Sequence, residues 1–276
     1  MQESKNGVGM CRYRPHRSLG QREVIRRLHR WAKKHFGDTK YRPHQKVSDA
    51  LLVALHLSRL VYKHAYPSIW WGLLRETRPW LPSYRQAGRS PTFGTQAFTR
   101  MQKVLDTLVA VATPNQRLQQ VVIDSAPLPV CRPKRMARCT FPEARWGYAT
   151  QGEFYGFKLH VWITPSGQIV QYALRPANLH DTTVAFELNR RWGDFGTPKI
   201  IGDKGYCCLG FVFPPKKNTT YDTGWRPEIH GPMRKRVETV FSQLVEAHLR
   251  VGQLKTMASL RLKVVLAVLA HNLAHP

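Results

Sequence analysis

Val121-Val122-Ile123-Asp124-Ser125-Ala126-Pro127 is an apolar β-run that ends on a lone carboxylate. Its β-branched residues suit a pleated, buried surface. A carboxylate at the end of such a run must be solvated, paired or bound to a metal, because burying it bare is costly. Ile200-Ile201-Gly202-Asp203 has the same form. Ligands gather at the carboxyl ends of strands in open α/β sheets, so two acids placed this way weigh against both being ordinary turn residues. A third candidate, Glu238, follows Val237 in a segment whose inward stripe is Val237, Val240, Phe241, Leu244 and His248. Helical periodicity puts Glu238 at the edge of that stripe, facing along a sheet rim. Arg234, one turn earlier, could instead hold it in a surface ion pair.

The whole chain is strongly basic. Its 276 residues carry 43 Lys+Arg against 17 Asp+Glu, a formal charge of +26, which calls for a polyanionic partner and points to nucleic acid. The 42% hydrophobic content and eight tryptophans describe a folded protein and exclude a basic tail. Five cysteines without a Cys-x-x-Cys pair support neither a disulfide framework nor a zinc knuckle. The N-terminus lacks an apolar signal core, and the run from Val264 to Ala270 is far too short to span a bilayer. The expectation is a soluble bacterial cytoplasmic protein, associated with the nucleoid and without a membrane partner.

The chain divides by texture. Residues 1 to 47 hold 13 Lys+Arg and three acids, the density of a DNA-gripping arm. Within it Val24, Leu28 and Trp31 recur at helical spacing, with Arg22, Arg26, Arg30 and Lys33 along another side. Ser48 and Asp49 cap a broadly apolar, buried helix running to Val61. Ser68 to Leu74 predicts a shorter helix stopped by Pro79, and its Trp70-Trp71 pair reads as core. A fourth helix is expected from Thr95 to before Pro114. Four helices with basic faces fit a helix-turn-helix-like DNA reader.

From residue 118 the sequence becomes β-rich. Gln119–Asp124 is a strand, 131–152 a long basic loop, and 154–164 a second strand in which Phe157, Leu159, Val161 and Ile163 alternate with Lys158, His160 and Trp162. Pro165-Ser166-Gly167 turns into a third strand at 169–174. A helix is expected over 178–192, strands at 199–203 and 211–213, and helices at 233–250 and 258–273. This order predicts an α/β, ribonuclease-H-like core, a mixed five-stranded sheet flanked by helices, preceded by an all-α region. The expected domains are residues 1–117, basic and DNA-binding, and 118–276, catalytic with a C-terminal helix.

Asp124, Asp203 and Glu238, with no His or Cys among them, form a hard-oxygen set suited to Mg²⁺ or Mn²⁺. Two such ions promote in-line displacement at phosphorus. Five blocks in order resemble DDE-class transposases of bacterial insertion sequences: Ile123 to Cys131, Tyr155-Gly156-Phe157-Lys158-Leu159-His160, Gly202-Asp203-Lys204-Gly205-Tyr206, Pro214-Pro215-Lys216-Lys217-Asn218, and Arg234-x-x-x-Glu238-x-x-Phe241. The resemblance implies that Asp124, Asp203 and Glu238 are the metal-binding catalytic triad. The 34 residues between Asp203 and Glu238 leave no room for a large insertion. Relatives of this class often carry a Tyr before the Arg and a Lys seven after the Glu, where this chain has Gly231 and Val245.

Lys158, His160, Lys204, Lys216, Lys217, Arg234 and Lys235 are candidate DNA contacts, and Asp181 is a cap or a support for the catalytic acids. Trp225 reads as a loop anchor. The implied activity is cleavage at element ends and strand transfer into target DNA by a homodimer or higher assembly. A non-catalytic DNA-binding derivative and a metal-dependent nuclease are the alternatives.

Overall fold

The computed structural model describes residues 20–37, 47–62, 66–88, 102, 119–150, 152–190, 198–207, 210–246, 249 and 254–274. They fall into two compact units. One comprises the described parts of Met1–Ala112, Leu244–Leu249 and Ala258–Pro276, and the other those of Thr113–Gln243 and Arg250–Met257.

In the first unit, helix α1 (Gln21–Phe36) buries Val24, Ile25, Leu28 and Ala32 and exposes Arg22, Arg26, Arg30 and Lys33. The basic face and the packing face thus separate as the periodicity requires. Ser48 caps helix α2 (Asp49–Val61) by accepting the Leu51 N–H at 3.4 Å, and α2 is buried around most of its circumference. Helix α3 (Pro67–Thr77) brings Trp70 and Trp71 into a cluster with Ile25, Leu52, Leu55, Leu74 and Leu81. Both indoles also donate to carbonyls, Trp70 Nε1 to Leu55 O at 3.1 Å and Trp71 Nε1 to Pro82 O at 2.8 Å. Buried indole N–H groups need such partners. A short helix α4 (Tyr84–Gly88) follows. The helix expected from Thr95 lies outside the described residues, Gln102 excepted. Helix α7 (Met257–Ala274) groups with these helices, whereas the sequence reading runs the catalytic region on to residue 276.

The second unit is built on a five-stranded mixed sheet: β1 (Gln120–Cys131), β2 (Arg145–Ala149), β3 (Gly152–Ile163), β4 (Ile169–Pro176) and β5 (Lys199–Ile201). β1 pairs antiparallel with β3 and parallel with β5, while β2 and β4 both pair antiparallel with β3. Helix α5 (Asp181–Asn189) follows β4, so the chain returns through a helix to the parallel strand β5, as a crossover demands. Helix α6 (Pro227–Glu246) carries the last acidic candidate. This is the α/β, ribonuclease-H-like sheet the strand order predicts.

Three elements differ from expectation. Phe211-Val212-Phe213 is buried but forms only an isolated parallel bridge, Ile201 to Val212. Its apolarity reflects packing, and backbone pairing is not required for that. The fifth strand is instead β2, inside the stretch read as a basic loop. β2 is an edge strand with only Gly147 buried, so it shows no alternation for sequence periodicity to detect. Helix α6 also begins six residues early. His230 Nδ1 accepts the Arg226 N–H at 2.8 Å, and Pro232 lies inside the helix, where it forgoes the bond an N–H would make to the Glu228 carbonyl.

Candidate active site

Asp124 and Asp203 are brought side by side by strand register. The last parallel pair between β1 and β5 is Val122 with Ile201, and each acid lies two residues beyond that rung. Equal offsets on adjacent parallel strands, about 4.8 Å apart, place both acids at the same carboxyl edge. Val121, Val122 and Ile123 are at most 2% exposed, so Asp124 emerges directly from the core. Burial pushes its carboxyl up to about 6 from an ordinary 3.8, and the charges of Asp203 and Asp181 push the same way. The Ser125 N–H, donated to Asp124 Oδ1 at 2.7 Å, and the Arg234 guanidinium oppose the rise.

The run Gly202-Asp203-Lys204-Gly205-Tyr206 has a steric logic. Asp203 caps a 3-10 turn over Lys204–Tyr206, accepting the Gly205 N–H at 2.8 Å. A Cβ on Gly205 would stand 2.9 Å from Asp203 Oδ1, and one on Gly202 would stand 2.8 Å from the Tyr206 ring. Both glycines are therefore clearances. Tyr206 is 1% exposed, and its hydroxyl faces Ser125. Burial foremost, then Asp181, Asp124 and Asp203, holds that phenol far above its usual range.

Asp181 opens α5 without being its cap, a role that falls to His180. It accepts the Lys158 ammonium at 2.9 Å and the Ser125 hydroxyl at 3.1 Å. Ser125 and Lys158 share one face of the sheet and Asp124 lies on the other, by strand alternation. Asp181 thus supports the acidic edge from behind. Ser125 and Tyr206 were not singled out in the sequence. The closely spaced glycines around Asp203 were the available signal, since they announce a group approaching the backbone.

The remaining candidates separate clearly. Lys204, Lys216, Lys217 and Lys235 are exposed; the Lys216 ammonium also reaches Cys207 Sγ at 3.2 Å. Arg234 is half-buried near Asp124. Lys158 is engaged by Asp181. His160 is a correction: it is 0% exposed, opposite Ser125 and Ala173, and burial pushes its imidazole down to about 4. Enclosed between strands β1 and β4, it has no access to a phosphate. Trp225 packs a tilted ring on His230 at 5.3 Å, an anchor as read.

Glu238 is exposed on α6, one turn beyond Arg234 and on its side of the helix. Among the described residues no three His, Cys, Asp or Glu side chains converge closely enough to hold an ion. Asp124 and Asp203 nonetheless fit a divalent cation. They are neighbouring carboxylates, one of them held high by burial and like charge, and a cation between them would relieve both effects.

Residues 116–220 match a family model described as Transposase DDE domain. The match contains Asp124, Asp181 and Asp203 and stops before Glu238. No curated protein and no solved structure matches the chain. Among the described residues no helix is long and apolar enough to cross a membrane.

Proposed function

We propose, on the premise that residues 116–220 place this chain among the DDE-class transposases, that it cuts DNA at the ends of an insertion sequence and joins them to a target. The observation that carries the reading is the register-matched pair of Asp124 and Asp203 at one sheet edge. Asp124, Asp203 and Glu238 would hold Mg²⁺ or Mn²⁺ as a pair of ions. Bound there, the metal supplies Lewis-acid activation of the attacking oxygen and stabilises the leaving one. Asp124 suits that role because burial and like charge leave its carboxylate under-stabilised by the protein alone.

The chain's own residues do the remaining work. Asp181 and Ser125 brace the strand behind Asp124. Arg234 offers a guanidinium beside the acids, matched to a phosphate oxygen. Lys204, Lys216, Lys217 and Lys235 are placed to hold the DNA backbone, with affinity that falls as salt rises. Residues 1–117, with the basic face of α1, recognise the element ends, and the region from 118 onward performs the phosphoryl transfer. Joining two ends calls for a homodimer or larger assembly in the nucleoid-bearing cytoplasm.

The test is an assay with purified protein, Mg²⁺ or Mn²⁺, labelled element-end DNA and a target plasmid, run beside Asp124→Ala, Asp203→Ala and Glu238→Ala. Joined products present in the wild type and lost in all three variants support the reading. Cleavage without joining identifies a nuclease, and DNA binding with neither product identifies a non-catalytic binder. Either result overturns the proposal.

A further inference from the structure

Far along β1 from the acids, the sheet ends in an exposed edge that the reaction does not use. β2 pairs only with β3, in the register Trp146 with Tyr155 and Tyr148 with Glu153. Gly147 faces the opposite side, where a Cβ would stand 2.6 Å from Ala177. Trp146 and Tyr148 therefore project together from one face, 39% and 74% exposed. The Trp146 ring is held edge-on by Tyr155, with centroids 5.6 Å apart and planes at 69°. An edge strand left to water is usually protected by charge or proline. This one carries two large aromatic rings.

A cationic turn follows the end of β1, across β3 from this edge. β1 ends at Cys131, directly opposite Tyr155, and the chain then enters a 3-10 turn, Pro133–Arg138, in which every residue is exposed. Lys134, Arg135 and Arg138 in that turn have no acidic partner among the described residues. Glu143 and Glu153 are the only acids between residues 131 and 155, against five Lys and Arg. Two exposed rings with unpaired cations one strand away match the chemistry of an unpaired nucleotide, with rings stacking on bases and guanidinium groups holding phosphates. A fully paired duplex hides its base faces and offers these rings nothing to stack on. Seven residues separate Asp124 from Cys131 on β1, about 23 Å along a strand, so the patch is separate from the acidic edge.

We infer that Trp146, Tyr148 and the basic turn at Pro133–Arg138 form a second DNA-contact surface, specific for single-stranded or locally opened DNA. The inference rests on the reading that the protein acts on DNA, but it does not depend on the catalytic acids. The test compares binding of a labelled thymidine oligonucleotide and of a fully paired duplex by fluorescence anisotropy. The proteins are the full chain and its Trp146→Ala/Tyr148→Ala, Trp146→Phe/Tyr148→Phe and Arg135→Ala/Arg138→Ala variants. Loss of both rings is expected to weaken single-strand binding by roughly 10- to 100-fold while leaving duplex binding within about two-fold. The Phe pair, which keeps two stacking faces, restores most of the loss. The Arg pair lowers the slope of log affinity against log salt by roughly one to two.

The binding assay reads neither cleavage nor joining, so failure of the catalytic reading leaves this result standing. The inference is overturned if the Ala pair binds the oligonucleotide like the wild type, if the Ala and Phe pairs lose affinity equally, or if the full chain binds no single-stranded DNA.

Discussion

Asp124→Asn is expected to stabilise the metal-free protein while abolishing its chemistry. In the folded chain the Asp124 carboxyl is held at about 6, against 3.8 when unperturbed. The charged form is thus disfavoured by folding. Below about pH 4 both states are protonated and the site is neutral in the balance. As pH rises through 4 to 6 the unfolded chain ionises first, and above about 6 the folded protein carries the full penalty, about 3 kcal/mol from the size of the shift. Asparagine keeps a carbonyl for the Ser125 N–H and removes the charge. Urea titrations in chelator at pH 8 should therefore show the variant more stable by about 1–3 kcal/mol, with the advantage gone by about pH 4. Divalent cation should raise the stability of the wild type and not that of the variant. A variant no more stable than wild type at pH 8, or an advantage independent of pH, would refute the assignment of a desolvated, repelled carboxylate.

His160 acts in the opposite sense over nearly the same window. Its folded value of about 4 lies below the ordinary 6.5, so the stability of the neutral ring is present above about 6.5 and lost as pH falls towards 4, by about 3 kcal/mol. His160→Gln should lose that acid sensitivity in the same urea titrations, and Asp124→Asn, lacking the opposing term, should lose more stability between pH 8 and pH 4 than wild type does. Gly202→Ala drives a Cβ to 2.8 Å from the Tyr206 ring and should cost about 1–3 kcal/mol. In a Tyr206→Ala background, which removes the Cδ2 and Cγ atoms at 2.8 and 3.1 Å, the same change should cost less, which a double-mutant cycle measures.

Much of this protein was legible because its signals were local and periodic. The alternation of residues 157–163 marked β3, and the apolar spacing of Val24 and Leu28 separated the basic face of α1 from its core face. Asp124 and Asp203 stood out because each closes a β-branched run, and no tertiary information is needed to see that a bare carboxylate there is costly. β2 was invisible for the converse reason: an edge strand with one buried glycine carries no burial pattern, and its pairing comes entirely from β3. His160 misled because alternation assigns a residue to a face but cannot say whether helix α5 covers that face.

By itself the sequence determined the acids, their strand-end setting, the basic character that calls for DNA, and the family resemblance. Those depend on residue type and short-range order. Only the tertiary structure decided that Asp124 and Asp203 lie equally far beyond the last β1–β5 rung, because register is a relation between strands about 80 residues apart in the chain. It also decided that Asp181 braces Ser125 and Lys158, and that Trp146 and Tyr148 face water. Hydrogen bonds and exposure belong to the packed chain, and no stretch of sequence contains them.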